Sequence, residues 1–254
     1  LWAAEPVPAQ LAETMRTALV QAQITFTSDP NSTQQALVMA QSTYGGDFAA
    51  TLRRADTAAD ARVSAGLNGA QEAIQHGDAA AFAAARAQVW TALLAGSYAV
   101  VQQAVQQENG ELAQRWLPVR EFRTATRFAR PAADATVAID HLVAKTLTPA
   151  ETQLALSADL LDTYQARLNE VLADLVNAEN NGYAMRLAEH AALAEGYFFI
   201  LAPAYVEQRG ATELQSAQQA FAALLAAAID GQPIASVLTD VETALHNFRA
   251  AHLS

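Results

Sequence analysis

Apolar side chains return every three or four positions along this chain, and this spacing constrains its fold more than any other feature. In one stretch the apolar positions are Phe82, Val89, Leu93, Val101 and Val105. Residues that favour strands do not alternate in runs. Alanine supplies much of the 52% hydrophobic fraction, and it forms helix without losing side-chain entropy and lets helices pack closely. The sequence therefore predicts an all-α fold, an up-and-down bundle of about eight or nine helices.

Turn and capping residues divide the chain into these helices. Gly77 is typical of a helix end, and Asp78 of the N-cap of the next helix. Thr148 and Glu151 have the spacing of a capping box, and Pro149 lies where the first turn of a helix tolerates proline. The pattern predicts one helix from Glu111 through Trp116 to about Phe128, and a last helix from Ile234 to about Ala251.

A tyrosine precedes a turn aspartate at similar spacing in both halves of the chain. Tyr44 lies 34 positions before Asp78, and Tyr197 lies 33 positions before Asp230. This predicts a single elongated domain with two candidate duplicated sub-units, residues 6–110 and 148–254, joined by central helices over 111–147. Chance similarity is the alternative, because alanine-rich helices align easily with one another.

Charge and composition exclude several classes of function. With 26 acidic and 15 basic residues the net charge is −11, which argues against a nucleic-acid partner. An acidic surface suits cation capture, and solubility is its other explanation. The absence of cysteine excludes thiolate metal sites and cysteine nucleophiles. No nucleophile elbow and no glycine-rich phosphate loop occurs, so we expect no enzyme activity.

The most distinctive stretch carries four arginines at 3-4-3 spacing, which one face of a helix would present together. Guanidinium groups bind planar anions through paired hydrogen bonds, so these arginines could form an anion site. The alternative is internal salt bridges to acidic residues on neighbouring helices, such as Asp134, Asp140, Asp159 or Asp162. The four residues are Arg120, Arg123, Arg127 and Arg130.

Carboxylates and histidines occur at spacings that could hold a metal, although none forms a complete motif. Asp134 and His141 are two turns apart on one face, and Glu189 and His190 are adjacent. Tyr164 and Arg167 also share a face, and they could line a cleft or pair with the arginines.

Three segments carry a resemblance to a known family: Arg120–Thr136, Asp159–Leu168 and Ala188–Tyr197. Together they resemble the helical extracytoplasmic region that precedes the membrane part of some bacterial high-affinity iron permeases. The similarity covers most of the chain and is strongest from Trp90 to Gly210. That family moves iron through membrane helices carrying an Arg-Glu-x-x-Glu motif. Here Arg120-Glu121 is followed by Thr124 at the second glutamate position, so permeation cannot be assigned to these residues.

The resemblance implies a non-enzymatic extracytoplasmic domain, in the periplasm or at the cell surface, attached to a membrane domain in the full-length protein. Its role would be to receive, concentrate or hand over iron, or to dock a partner. The implied partners are the iron ion and the membrane part of the same permease, or another component of the uptake system. Iron is also the only cofactor implied.

Carboxylate and imidazole are the iron ligands available without cysteine. The candidate ligands are Glu121, Asp134, Asp140, His141, Glu189 and His190. Three alternatives remain: a sensor or docking bundle that binds a carboxylate anion through the arginines, a structural spacer, and a relative of imelysin-like peptidases. The last lacks the His-x-x-Glu signature expected of it.

Overall fold

The computed structural model describes residues 7–121 and 134–251, and within these ranges it contains eleven α-helices and no β-strand. The all-α prediction is confirmed. The helices outnumber the predicted eight or nine partly because Gly45-Gly46 divides α2 from α3. In chain order the helices are α1 (Pro8–Thr25), α2 (Pro30–Thr43), α3 (Gly46–Ala55), α4 (Thr57–His76), α5 (Ala79–Gln106), α6 (Gly110–Trp116), α7 (Ala135–Val143), α8 (Pro149–Asn180), α9 (Ala184–Arg209), α10 (Ala211–Ile229) and α11 (Ala235–Leu245).

Local capping chemistry begins and ends the long helices where the sequence predicts. Gly77 ends α4 with a left-handed φ of 68°, and the Asp78 side chain accepts a hydrogen bond from the Ala81 amide at the start of α5. At the start of α8, Thr148 and Glu151 form the reciprocal capping box.

Two predicted helices end earlier than expected. The helix from Gly110 ends at Trp116, because Pro118 has no N–H to continue the hydrogen-bond ladder; residues 122–128 of the predicted helix lie outside the described residues. The last helix stops at Leu245 rather than Ala251, and Asn247 takes a left-handed φ of 60°.

Beyond α11, the side chain of Gln165 replaces the missing helical hydrogen bonds. It donates to the Phe248 carbonyl and accepts from the Ala250 amide, at 2.8 and 2.7 Å. The segment from Phe248 to Ala250 is thereby fixed to α8 without a further turn of helix.

Helix α5 forms the centre of the molecule, since 18 of its 28 residues are buried. Its most extensive neighbours are α4, which precedes it, and α9, which comes from the second half of the chain. Most of the buried apolar residues, from α1 through to Ala250, form one connected hydrophobic core that includes residues of both predicted sub-units. None of the helices in the described ranges is both long and apolar enough to cross a bilayer.

A buried carboxylate joins α2, α3 and α4. The Asp60 carboxylate accepts hydrogen bonds from the Tyr44 hydroxyl (2.6 Å) and the Arg53 Nε (2.7 Å). Burial alone would raise the pKa of Asp60, but these two hydrogen bonds outweigh it and hold the pKa below its usual range. An ionised Asp60 therefore stabilises the folded state at neutral pH.

We expect Asp60→Asn to lower the free energy of unfolding by about 1–2 kcal/mol at pH 7, because the charge-assisted hydrogen bonds are lost. A lowered carboxyl pKa stabilises the fold above the unfolded-state value of about 3.9, and this contribution disappears as the pH falls through the folded-state pKa. The difference between variant and native protein should therefore shrink in acid. Urea unfolding at several pH values, with the exposed Asp230→Asn as control, tests this. A pH-independent difference would contradict it.

Candidate functional site

A cavity of about 160 Å³ lies between α1, α5, α8, α9 and the segment that follows α6. It concentrates charged and aromatic side chains at the edge of an otherwise apolar core. Its charged and aromatic lining residues are Arg16, Arg86, Arg167, Glu121, Glu189, Trp90 and Tyr197. The remaining walls are aliphatic, from α1, α5 and α9.

Glu121 is held in this cavity by two neutral donors. Its Oε1 accepts hydrogen bonds from Trp90 Nε1 (2.6 Å) and from the Tyr197 hydroxyl (3.1 Å). These donors come from α5 and α9, the central helix pair of the core. Donors of this kind stabilise an ionised carboxylate and fix its orientation.

Tyr197 is also the end of a row of buried phenols. The ring centroids of Tyr98 and Tyr164 are 6.3 Å apart, and those of Tyr164 and Tyr197 are 6.4 Å apart. Burial raises the pKa of Tyr98 to about 12. Burial, with the neighbouring Glu121 carboxylate, also raises the pKa of Tyr197 and Tyr164. All three phenols are therefore neutral at physiological pH and are not anionic ligands. Tyr98 donates to Ser157 Oγ and Tyr197 to Glu121 Oε1, whereas the Tyr164 hydroxyl is buried without a hydrogen-bond partner among the described residues.

Three arginines surround the two cavity carboxylates, and each already binds a carboxylate. Arg86 donates to Glu189 Oε1 and to Gln23 Oε1, both at 2.5 Å, which joins α5 to α9 and α1. Arg167 and Arg16 are instead held by glutamates three positions away on their own helices, Glu170 at 2.5 Å and Glu13 at 2.7 Å.

The structure brings two of the six candidate metal ligands, Glu121 and Glu189, into this one cavity. His190 points elsewhere, with its Nδ1 4.0 Å from Asp174 on α8. In residues 7–121 and 134–251 there is no group of three or more histidine, aspartate or glutamate side chains that could hold a metal ion.

The other three candidates lie on α7 and are exposed. Asp134 caps this helix by accepting from the Thr136 and Val137 amides. Asp140 accepts from Gln114 Nε2 at 2.7 Å, and His141 Nδ1 is 2.7 Å from Thr146 Oγ1. Asp140 lines a second cavity of about 180 Å³, which it shares with Arg120.

Of the four spaced arginines, only Arg120 is within the described residues, and it follows the end of α6. Its Nη2 donates to Thr136 Oγ1 (2.7 Å), and its Nη1 is 3.8 Å from Asp159 Oδ2. Arg120 thus forms one of the internal ion pairs that the sequence offered as the alternative, with Asp159. Arg123, Arg127 and Arg130 lie outside the described residues. Burial raises the pKa of Asp159, although the Ala135 amide and Arg120 partly oppose this rise.

Sequence reasoning missed Arg16, Arg86 and Trp90 as cavity residues. Of the pair predicted to line a cleft, Arg167 lines this cavity, whereas Tyr164 is fully buried and is not among its lining residues. The sequence does distinguish Arg86, because it is the only charged residue among the 28 residues of α5. A single charge in a buried helix needs a partner, and that partner, Glu189, is 103 positions away.

Comparison with known proteins gives one family. The model of the iron permease FTR1 N-terminal domain matches residues 4–244. No curated protein and no solved structure matches the chain significantly.

Proposed function

Since the chain belongs to the family of iron permease FTR1 N-terminal domains, we propose that it is an extracytoplasmic domain that receives iron and hands it to the membrane part of the same permease. The family associates the chain with iron uptake. The proposal adds the location outside the cytoplasm, the direct handling of iron and the place where iron is received.

The convergence of Glu121 and Glu189 in one cavity carries this proposal. Carboxylate oxygen is a suitable donor to iron when thiolates are absent. Both side chains are half-buried and are oriented by partners on other helices, Glu121 by Trp90 and Tyr197 and Glu189 by Arg86. A site built from several helices of a packed core is pre-organised, and less ordering free energy is spent on binding.

The candidates on α7 offer a weaker site. Asp134, Asp140 and His141 are exposed, and each is engaged in a local hydrogen bond. The cap formed by Asp134 would have to be broken before its carboxylate could ligate a metal. They remain predicted ligands, and an experiment on both sets separates the two places.

Uptake of radioactive iron by cells that express the full-length permease tests the proposal. We expect Glu121→Gln combined with Glu189→Gln to lower uptake at limiting iron by roughly tenfold, as the loss of about 1.4 kcal/mol of binding would produce. Glu195→Gln is the matched control, because Glu195 forms a similar interhelical pair with Arg62 outside the cavity.

Two results would count against the cavity. Undiminished uptake in the double variant would show that iron is not received there. A loss confined to Asp140→Asn and His141→Gln would place the reception of iron on α7 instead. Membrane levels of each variant must be equal, so that folding defects are not read as transport defects.

A further inference from the structure

The charges around the cavity differ from those of the whole chain. The protein carries a net charge of −11, yet the cavity is lined by three arginines and only two carboxylates. A bare iron cation would meet the two carboxylates but also three guanidinium groups, each of them paired with a glutamate. A small anion would meet three guanidinium groups. Those of Arg86 and Arg167 are largely buried, so charge interactions with them are stronger than in water, whereas Arg16 is 48% exposed.

The side chains that the arginines bind in this structure indicate which class of anion the cavity could bind. Arg16, Arg86 and Arg167 each hold a glutamate carboxylate. The planar fork of a guanidinium group matches a carboxylate, so the carboxylates of a ligand would replace protein carboxylates like for like.

Two of these three ion pairs contribute little free energy, so they are easily broken. Arg16–Glu13 and Arg167–Glu170 are pairs three positions apart on one helix, and the glutamate side chains are 55% and 38% exposed. Such pairs contribute only about 0.2–0.5 kcal/mol, so a ligand can displace them. Arg167 Nε is moreover buried without a hydrogen-bond partner in the described part of the chain.

We infer that the cavity binds a small anion with two or more carboxylates through Arg16, Arg86 and Arg167, so that iron reaches this domain as an anionic carboxylate chelate. This inference rests on the proposed function for its link to iron, although the binding of the anion stands by itself. The ligand is small, because the cavity of about 160 Å³ is well below the ~300–1,000 Å³ of sites for drug-sized ligands.

Isothermal titration of the 254-residue chain with citrate, ferric citrate and phosphate tests the inference. Both citrate forms carry several carboxylates that can engage more than one guanidinium fork at once, whereas a single phosphate is smaller, so we expect citrate to bind and phosphate to bind at least about tenfold more weakly. Arg86→Gln and Arg167→Gln should each weaken citrate binding by roughly tenfold or more. Arg62→Gln should leave it unchanged. Arg62 forms an equivalent interhelical pair, with side-chain exposures of 21% and 23% against 19% and 23% for Arg86–Glu189, outside the cavity.

A second pair of variants keeps the test independent of folding defects. Glu13→Gln and Glu170→Gln remove exposed or half-exposed competitors and leave the core intact, so both should strengthen citrate binding. Absence of citrate binding, equal binding of phosphate, an equal loss in Arg62→Gln, or no gain in both glutamine variants would overturn the inference.

The outcomes for anion binding and for iron uptake are separable. If citrate fails to bind while uptake still depends on Glu121 and Glu189, the inference falls and the proposed function stands. If citrate binds through the arginines but uptake ignores the cavity, the proposed function falls and the anion site stands.

Discussion

Replacement of Phe198 by alanine is expected to lower the free energy of unfolding by about 3–5 kcal/mol, the usual loss for a large aromatic side chain in a packed core. Phe198 in α9 is 2% exposed. Its ring stacks on Phe221 of α10 with centroids 4.5 Å apart, and it meets Tyr205 edge-on at 5.2 Å. Tyr205 in turn packs against Phe248, at 5.0 Å. The cavity left by the variant would loosen α9, α10 and the C-terminal segment together.

Urea unfolding followed by circular dichroism measures this loss. Phe199→Ala is the adjacent control, because Phe199 is half-buried and contacts Arg62 at the protein surface. We expect its effect to be about 1 kcal/mol, the order of an exposed cation–π contact. A loss in Phe198→Ala no greater than that in Phe199→Ala would show that this aromatic cluster is not part of the stabilising core. For comparison, the total free energy of unfolding of a protein domain is only about 5–15 kcal/mol.

Replacement of Gly196 by alanine is expected to destabilise the protein by about 1–3 kcal/mol through overpacking. Gly196 lies where α9 crosses α5, and a Cβ at this position would be 2.5 Å from Thr91 Cβ and 2.8 Å from its Cγ2. Thr91 is fully buried, and its hydroxyl donates to the Ala87 carbonyl. A β-branched side chain has few alternative rotamers in a helix, so the two helices must separate.

Gly69→Ala in α4 is the control, because its expected effect on stability has the opposite sign. There the nearest atom to a new Cβ is Ala85 Cβ at 3.6 Å, an ordinary contact. Alanine should therefore stabilise this helix by about 0.5–1 kcal/mol through its higher propensity. If Gly196→Ala also stabilised the protein, the effect of helix propensity would exceed that of the close α5–α9 crossing, and the overpacking expected at Gly196 would be contradicted.

Local chemistry made the fold predictable. The periodic apolar positions, the cap at Asp78 and the capping box at Thr148 each depend on neighbours within a few residues, and the structure confirms them. The prediction that one helix continues beyond Trp116 was wrong, because Pro118 removes an N–H from the hydrogen-bond ladder.

The candidate site was only half predictable, because its contacts are long-range. Glu121 and Glu189 were identified as chemically suitable, but nothing local indicates that they share a cavity. Their partners are distant in sequence, with Tyr197 76 positions from Glu121 and Arg86 103 positions from Glu189. Spacing on one helix could not reveal pairs that form only when α5 and α9 pack together.

The burial of α5 also sets the order in which a nascent chain can fold. This helix ends at Gln106, but the helix that covers one of its apolar sides, α9, is complete only at Arg209. At about 5–20 residues per second, a ribosome needs roughly 5–20 s to synthesise the intervening segment. During that interval the side of α5 that α9 covers in the folded protein has no native cover, although α4 can already pack on another side. Chaperones that protect emerging chains should engage the uncovered side before α9 is synthesised.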